Sequence, residues 1–196
     1  MRAEAQTRLA ETAILDALSR LLLTSSLDDI TVAQVLAEAE VSRATFYFYF
    51  ASIDQAFVAL LTAVLDQATE EFRALLGDPA LRRSPEFATA LTRWLSATGL
   101  SRVVIRNAAA EWPRRSDVRA VYLDAVGKLT DALAAAIDED RAAGVALDSI
   151  PSGELAAGWV WTSEQRWYLA ADPEEDALDA GLASLLVAAV YGRAVR

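Results

Sequence analysis

The chain has 196 residues, 54% of them hydrophobic and 23% charged, the composition of a folded globular protein rather than a disordered one. It contains no Cys and no His, which excludes disulfides, thiolate nucleophiles, zinc sites built on thiolate or imidazole, and His-based acid–base catalysis. A formal net charge of −10 weighs against a nucleic-acid partner unless a specific motif argues otherwise.

In chain order, the opening MRAEAQTRLAETA intersperses acids and lacks the apolar core of a signal peptide. The longest apolar run, 182–191, is about half of a ~20-residue membrane span, so a soluble cytoplasmic chain without a membrane partner is expected. Gly and Pro are sparse, and i, i+3, i+4, i+7 spacing recurs while strict alternation is missing. Ile14, Leu18, Leu21 and Leu22 form one stripe. Phe57, Leu60, Leu61, Val64, Leu65 and Ala68 form another, ending at Gly77, and 121–137 a third, closing near Gly144. Breaks fall at 24–30, 77–85, 112–116, 144–151 and 172–174. The prediction is all-α, with about nine helices: 1–23, 32–38, 43–49, 53–76, 86–99, 101–111, 117–143, 152–171 and 174–192. No period of 20–50 residues recurs, so a repeat array is not expected. Three short helices in 1–52 contrast with long ones in 53–196, which suggests two domains divided there.

Helix starts in the first part are legible. Thr31-Val32-Ala33-Gln34 reads as a capping box, with Ile30 and Val35 placed as a hydrophobic staple. Ser42 reads as a second N-cap, with Val41 and Phe46 as its staple, and Ser52 with Gln55 repeats the box. Only Ala39, Glu40 and Val41 separate the first two of these helices, the length of a helix-turn-helix turn. In the helix that follows, spacing turns Phe46 and Phe50 toward Val35 and Leu18. Arg43, Ala44, Thr45, Tyr47 and Phe48 are left largely outside. Closing a domain interface explains the two buried aromatics, but not the polar tips of Arg43, Thr45, Tyr47 and Tyr49.

The segment ITVAQVLAEAEVSRATFYFYFASIDQAF, within residues 8–60, resembles the DNA-binding segment of the TetR family of transcriptional regulators. The Thr-Phe-Tyr-Phe-Tyr-Phe run, the stretch 152–157, the helix around Glu164 and Val190-Tyr191-Gly192 look most like its EthR-type repressors. The resemblance implies a recognition helix in the major groove of a double-stranded DNA operator. Arg43 would contact guanine O6 and N7, and Ala44 and the Thr45 methyl would meet thymine methyls. Thr31, Ser42, Thr45, Tyr47 and Tyr49 would hold phosphates. Phe48 would pack on sugar or a methyl group, or shield Tyr47. Two departures stand out. Glu40 occupies a turn position that is usually Gly, and Ile53 replaces the usual Lys at the start of helix 4. Residues 1–52 also carry Arg2, Arg8, Arg20 and Arg43 against seven acids, a net charge of −3.

A single helix-turn-helix binds weakly, so a homodimer reading a palindrome is expected. Trp161, Leu178, Leu182, Leu185, Leu186 and Val190 are its candidate interface, because helices apolar all round need cover on two sides. Phe87, Trp94, Asn107, Trp112, Trp159, Thr162, Ser163, Trp167 and Tyr168 are candidates for lining an apolar site for a small hydrophobic ligand. No cofactor and no metal are expected. An enzyme is the weakest reading: Glu111, Glu154 and Glu164 lack any His, Cys, phosphate loop or metal spacing beside them. The alternative is a dimeric helical small-molecule-binding protein whose DNA-binding function is weakened or lost.

Overall fold

The structure, a computed structural model, describes residues 2–96, 100–169 and 175–192, with side chains placed for 9–96, 101–165 and 178–192. Every regular element among the described residues is helical. They are α1 (Arg2–Leu21), α2 (Val32–Ala39), α3 (Arg43–Tyr49), α4 (Ile53–Leu76), α5 (Pro79–Arg82), α6 (Phe87–Leu95), α7 (Leu100–Glu111), α8 (Ser116–Ala142), α9 (Ser152–Leu169) and α10 (Glu175–Tyr191), with a 3-10 turn at Leu27–Asp29. The fold is all-α. Among the described residues ten α-helices replace the expected nine, because α5 lies inside the stretch that reads as a break. Its start carries a cap: Asp78 Oδ1 accepts from the N–H groups of Ala80 (2.9 Å) and Leu81 (3.1 Å), and Pro79 fills the first helical position. No single helix among the described residues is long and apolar enough to cross a membrane.

The chain divides into two compact units, residues 1–65 with 98–121 and residues 66–97 with 122–196; α4 and α8 each run from one into the other. In the first unit the α1 stripe of Ile14, Leu18 and Leu22 is buried, as are Val35 of α2 and Phe46 of α3. Val104, Ile105 and Ala108 of α7 are buried as well. Each large apolar side chain so buried contributes roughly 1.5–3 kcal/mol.

The second unit buries Tyr122, Ala125, Val126, Leu129, Leu133 and Ile137 along α8, the predicted stripe. Phe87, Leu91 and Leu95 form the inner face of α6, which packs on α10. A charged cluster is sealed inside this unit. Arg82, 2% exposed, donates from Nε and Nη2 to the two oxygens of Asp140 (3.0 and 3.1 Å), and it also reaches Glu139 and the Leu76 carbonyl. Tyr191 (2.6 Å) and Arg83 (2.9 Å) donate to the same Asp140 carboxylate. Burial alone would push Asp140 up; the hydrogen bonds from Arg82, Tyr191 and Arg83 outweigh it and hold the carboxyl below its ordinary range. α8 then ends at Gly144, whose φ of 71° is the left-handed cap a glycine supplies without strain.

Candidate nucleic-acid interface

Three helix starts define the site, and each is tied by its own sequence. At α2 the Thr31 N–H donates to Gln34 Oε1 (2.8 Å) while the Gln34 N–H donates to Thr31 Oγ1 (3.3 Å), a reciprocal capping box. Ile30 and Val35 are both buried beside it. At α3 the Thr45 N–H donates to Ser42 Oγ (3.0 Å). At α4 the Gln55 N–H donates to Ser52 Oγ (3.2 Å), but the Gln55 carbonyl returns to the Ala51 N–H rather than to that of Ser52.

α2 runs through Ala39, one residue beyond expectation, so the turn consists of Glu40, Val41 and Ser42. Glu40 closes the helix at φ 54°, ψ 37°, with its N–H on the Leu36 carbonyl; it is the one non-glycine residue with positive φ among those described. A side chain in this left-handed region costs roughly 1 kcal/mol. The turn thus needs the conformation glycine provides and accepts a carboxylate instead.

The faces of α3 separate as its spacing requires. Phe46 and Phe50 are buried, at 0% and 4% exposure. Arg43, Ala44, Tyr47 and Phe48 are exposed, with Phe48 at 75%, and Thr45 and Tyr49 are half-buried. Edge-to-face contacts of Phe46 with Tyr47 (5.4 Å) and of Phe48 with Tyr49 (5.0 Å) steady the outward rings. Thr31 and Ser42 are exposed too, but their hydroxyls are engaged: Thr31 Oγ1 donates to Gln34 Oε1 (2.7 Å) and Ser42 Oγ pairs with Thr45 Oγ1 (2.8 Å). Arg20 is held by Glu38 on α2 at 2.6 Å. Of the nearby arginines, Arg43 is the one carried on the exposed face of α3.

The expected ligand-lining residues do not form one set. Trp94 and Trp159 both stack on Phe72, at 4.4 and 6.0 Å between ring centres. Their indole N–H groups donate to the carbonyls of Ala68 (3.1 Å) and Leu182 (2.9 Å). Phe87 is buried with its ring against Tyr191, and Ser163 is buried with its hydroxyl on the Trp159 carbonyl. Thr162 is exposed on an open groove. Asn107, whose amide donates to the Val103 carbonyl, and Trp112 belong to the other unit. The side chains of Trp167 and Tyr168 lie outside the described residues. Phe72, which joins the two tryptophans, has no sequence mark beyond its helical register.

The groove, about 390 Å³, is lined by Trp159, Leu182 and Leu185 together with Leu155, Ile150 and Ala189. Trp161, Leu178 and Leu185 are exposed, at 37%, 46% and 64%. Leu182, Leu186 and Val190 are mostly covered within their own unit, though Leu182 and Leu186 still line the groove. α10 is apolar over more than one stripe, so sequence alone cannot tell which of them α6 covers.

A capped helix-turn-helix with an outward polar and aromatic recognition face, within an all-helical chain, defines a DNA-binding transcriptional regulator. Residues 14–60 match the family described as bacterial regulatory proteins, tetR family. The chain is 30% identical over 189 residues to the HTH-type transcriptional regulator EthR of Mycobacterium tuberculosis, covering 93% of this chain and 87% of that one. It therefore belongs to the TetR family of transcriptional regulators, which are DNA-binding proteins and not enzymes. Its fold is shared by a TetR transcription regulator from Haloarcula marismortui (TM-score 0.76, 17% identity, 93% of this chain and 98% of that one). It is also shared by a protein from Saccharomonospora viridis in complex with choline (TM-score 0.78, 21% identity, 94% and 98%).

Proposed function

We propose that the chain is a ligand-responsive repressor that binds a palindromic operator as a homodimer in the cytoplasm. The observation that carries the reading is the outward face of α3, where Arg43, Ala44, Tyr47 and Phe48 are exposed on a helix fixed by the Ser42 cap. Arg43 reads a guanine by its two parallel donors. Tyr47 and Tyr49 hydrogen-bond phosphates, and the N–H groups at the starts of α2 and α4 add favourable dipoles there. Ala44, the Thr45 methyl and Phe48 supply apolar contact. The apolar groove that contains Leu185, with the exposed Trp161 and Leu178 on the same two helices, takes a second copy of the chain, building a four-helix interface from α9 and α10 of each protomer.

A small apolar ligand bound among the helices of 53–196 releases DNA. α4 and α8 run between the two units, so a ligand that favours one setting of these helices shifts the spacing of the paired recognition helices. Ligand and DNA then weaken each other reciprocally. The choline complex of the S. viridis protein supports a small-molecule site on this fold. The stack of Trp94 and Trp159 on Phe72 supports an apolar one.

The test is mobility shift on the DNA flanking the chain's own gene, followed by variants of α3. Arg43→Ala is expected to cost roughly 1–3 kcal/mol at one base position, and Tyr47→Phe to weaken all sequences alike. Tyr47→Phe is cleaner than Thr31→Ala, which also removes the α2 cap. An unchanged base preference for Arg43→Ala would remove its assigned role. One observation favours a second reading, a dimeric binding protein that has lost DNA: the carboxylate of Glu40 beside α3 and Ile53 at the start of α4. A chain that retains no DNA at low salt would establish it.

A further inference from the structure

Outside the recognition face, a dense set of charges in the first unit gathers around one turn. Arg115, between α7 and α8, distributes its guanidinium over three carboxylates from three separate elements. Nε donates to Glu111 Oε2 (2.8 Å), Nη1 to Asp54 in the first turn of α4, and Nη2 to Asp28 in the 3-10 turn before α2. Arg114 takes the other oxygen of Glu111 (2.6 Å) and stands 3.9 Å from Asp28. The turn that carries these arginines is itself braced. The N–H groups of Arg114 and Arg115 donate to the Glu111 carbonyl, and Arg119 donates to the carbonyls of Trp112 (3.1 Å) and Pro113 (2.8 Å). Glu111 is buried and Arg115 largely so, which fixes the guanidinium in place, while Asp28 and Asp54 reach it from the exposed side.

Asp28 and Asp54 matter for where they stand. Asp28 lies three residues before Thr31, the cap of α2, and Asp54 two residues after Ser52, the cap of α4. These are the two helix starts that flank α3 in sequence and that the proposed function places against phosphate. We propose that Arg115 is a positioning residue for operator binding: its three-way fork holds the starts of α2 and α4 at a fixed separation and neutralises one carboxylate beside each of them. The inference rests on the DNA-binding reading, but the clamp itself exists in the free protein. It gives the α7–α8 turn, within the same unit, a direct charged link to the starts of α2 and α4. Movement of that turn therefore alters phosphate contacts without touching α3.

Two measurements test it. In the first, the wild-type chain selects a duplex from a random-sequence library, and affinity for that duplex is read by fluorescence anisotropy. Arg115→Ala is expected to lose at least tenfold in affinity and Arg115→Lys a smaller factor, since a single ammonium cannot span three carboxylates. Asp54→Asn is expected to lose severalfold alone and nothing further in the Arg115→Ala background. In the second, amide hydrogen exchange of the free protein is expected to accelerate in Arg115→Ala at residues 30–36 and 53–58 and to stay unchanged in α10. A folded Arg115→Ala chain with wild-type affinity, or with unchanged exchange at both helix starts, would overturn the proposal. A wild-type chain that enriches no duplex overturns the DNA-binding reading instead, and the exchange measurement still decides whether Arg115 clamps the two helix starts.

Discussion

At Glu40 a single residue sets two costs against the function proposed for the molecule. Its φ of 54° is a backbone conformation that any side chain strains, and its carboxylate is exposed in the turn next to the recognition helix. Two substitutions separate the costs. Glu40→Gly removes both the strain and the charge, and is expected to raise unfolding stability by roughly 0.5–1 kcal/mol, the relief of the left-handed strain less the added freedom of the unfolded chain. Glu40→Gln removes the charge alone, so its stability should match wild type while its affinity for DNA rises with that of Glu40→Gly. Urea unfolding and anisotropy on one duplex read both terms. Equal stability of all three chains would show that the turn tolerates the side chain without cost.

Among the elements, α5 and its buried arginine hold the second unit together by charge where most of that unit relies on apolar packing. Arg82 and Asp140 come from α5 and α8, and Tyr191 from the end of α10, so one carboxylate ties three elements. Asp140→Ala is expected to cost about 3–5 kcal/mol, because it removes the buried carboxylate that pairs with Arg82 and leaves the guanidinium only Glu139, at the edge, and the Leu76 carbonyl. The pH dependence follows from direction. Asp140 ionises more readily in the folded chain than in the unfolded one, where its pKa is about 3.9. Its stabilisation is therefore complete above about pH 4 and lost as pH falls through the lower folded value. Glu111, lowered by Arg115 and Arg114 against the opposing effect of burial, adds in the same window. Acid unfolding of wild type against Asp140→Asn should show the wild-type chain losing its advantage below pH 4, and a constant difference between the two down to pH 2 would refute the linkage. These elements also mark what a sequence shows and what it conceals. Helix starts were readable because a cap is local: Thr31 with Gln34 and Ser42 with Thr45 meet within one turn. The recognition face was readable because Phe46 and Phe50 recur at helical spacing. Arg82 with Asp140 and Arg115 with Asp28 were not, because their partners lie 58 and 87 residues apart and nothing local distinguishes them from solvated charges. The inner and outer stripes of α10 were ambiguous for the opposite reason: both are apolar.

For the whole molecule, the formal net charge of −10 decides how the chain meets DNA rather than whether it does. The DNA-binding segment has few cations to spend. Arg43 faces outward, Arg20 is committed to Glu38, and the place of the family's usual lysine at the start of α4 is taken by Ile53. Arg2 and Arg8 complete the basic residues of the first 52. Arg114 and Arg115 are balanced by Asp28, Asp54 and Glu111 and offer no free charge to phosphate. Each phosphate neutralised by Lys or Arg contributes about −0.9 to the slope of log K against log salt, so a dimer with at most three available arginines per protomer should give a slope no steeper than about −5. Hydroxyls and helix-start N–H groups then carry phosphate contacts that release no counterions, and weak non-specific binding follows from the same shortage. Binding of the selected duplex between 50 and 300 mM salt measures the slope, and the same titration on an unrelated duplex measures the non-specific term. A slope near −10 would require cations that this face does not present, and would mean that phosphate is held by a surface other than the starts of α2, α3 and α4.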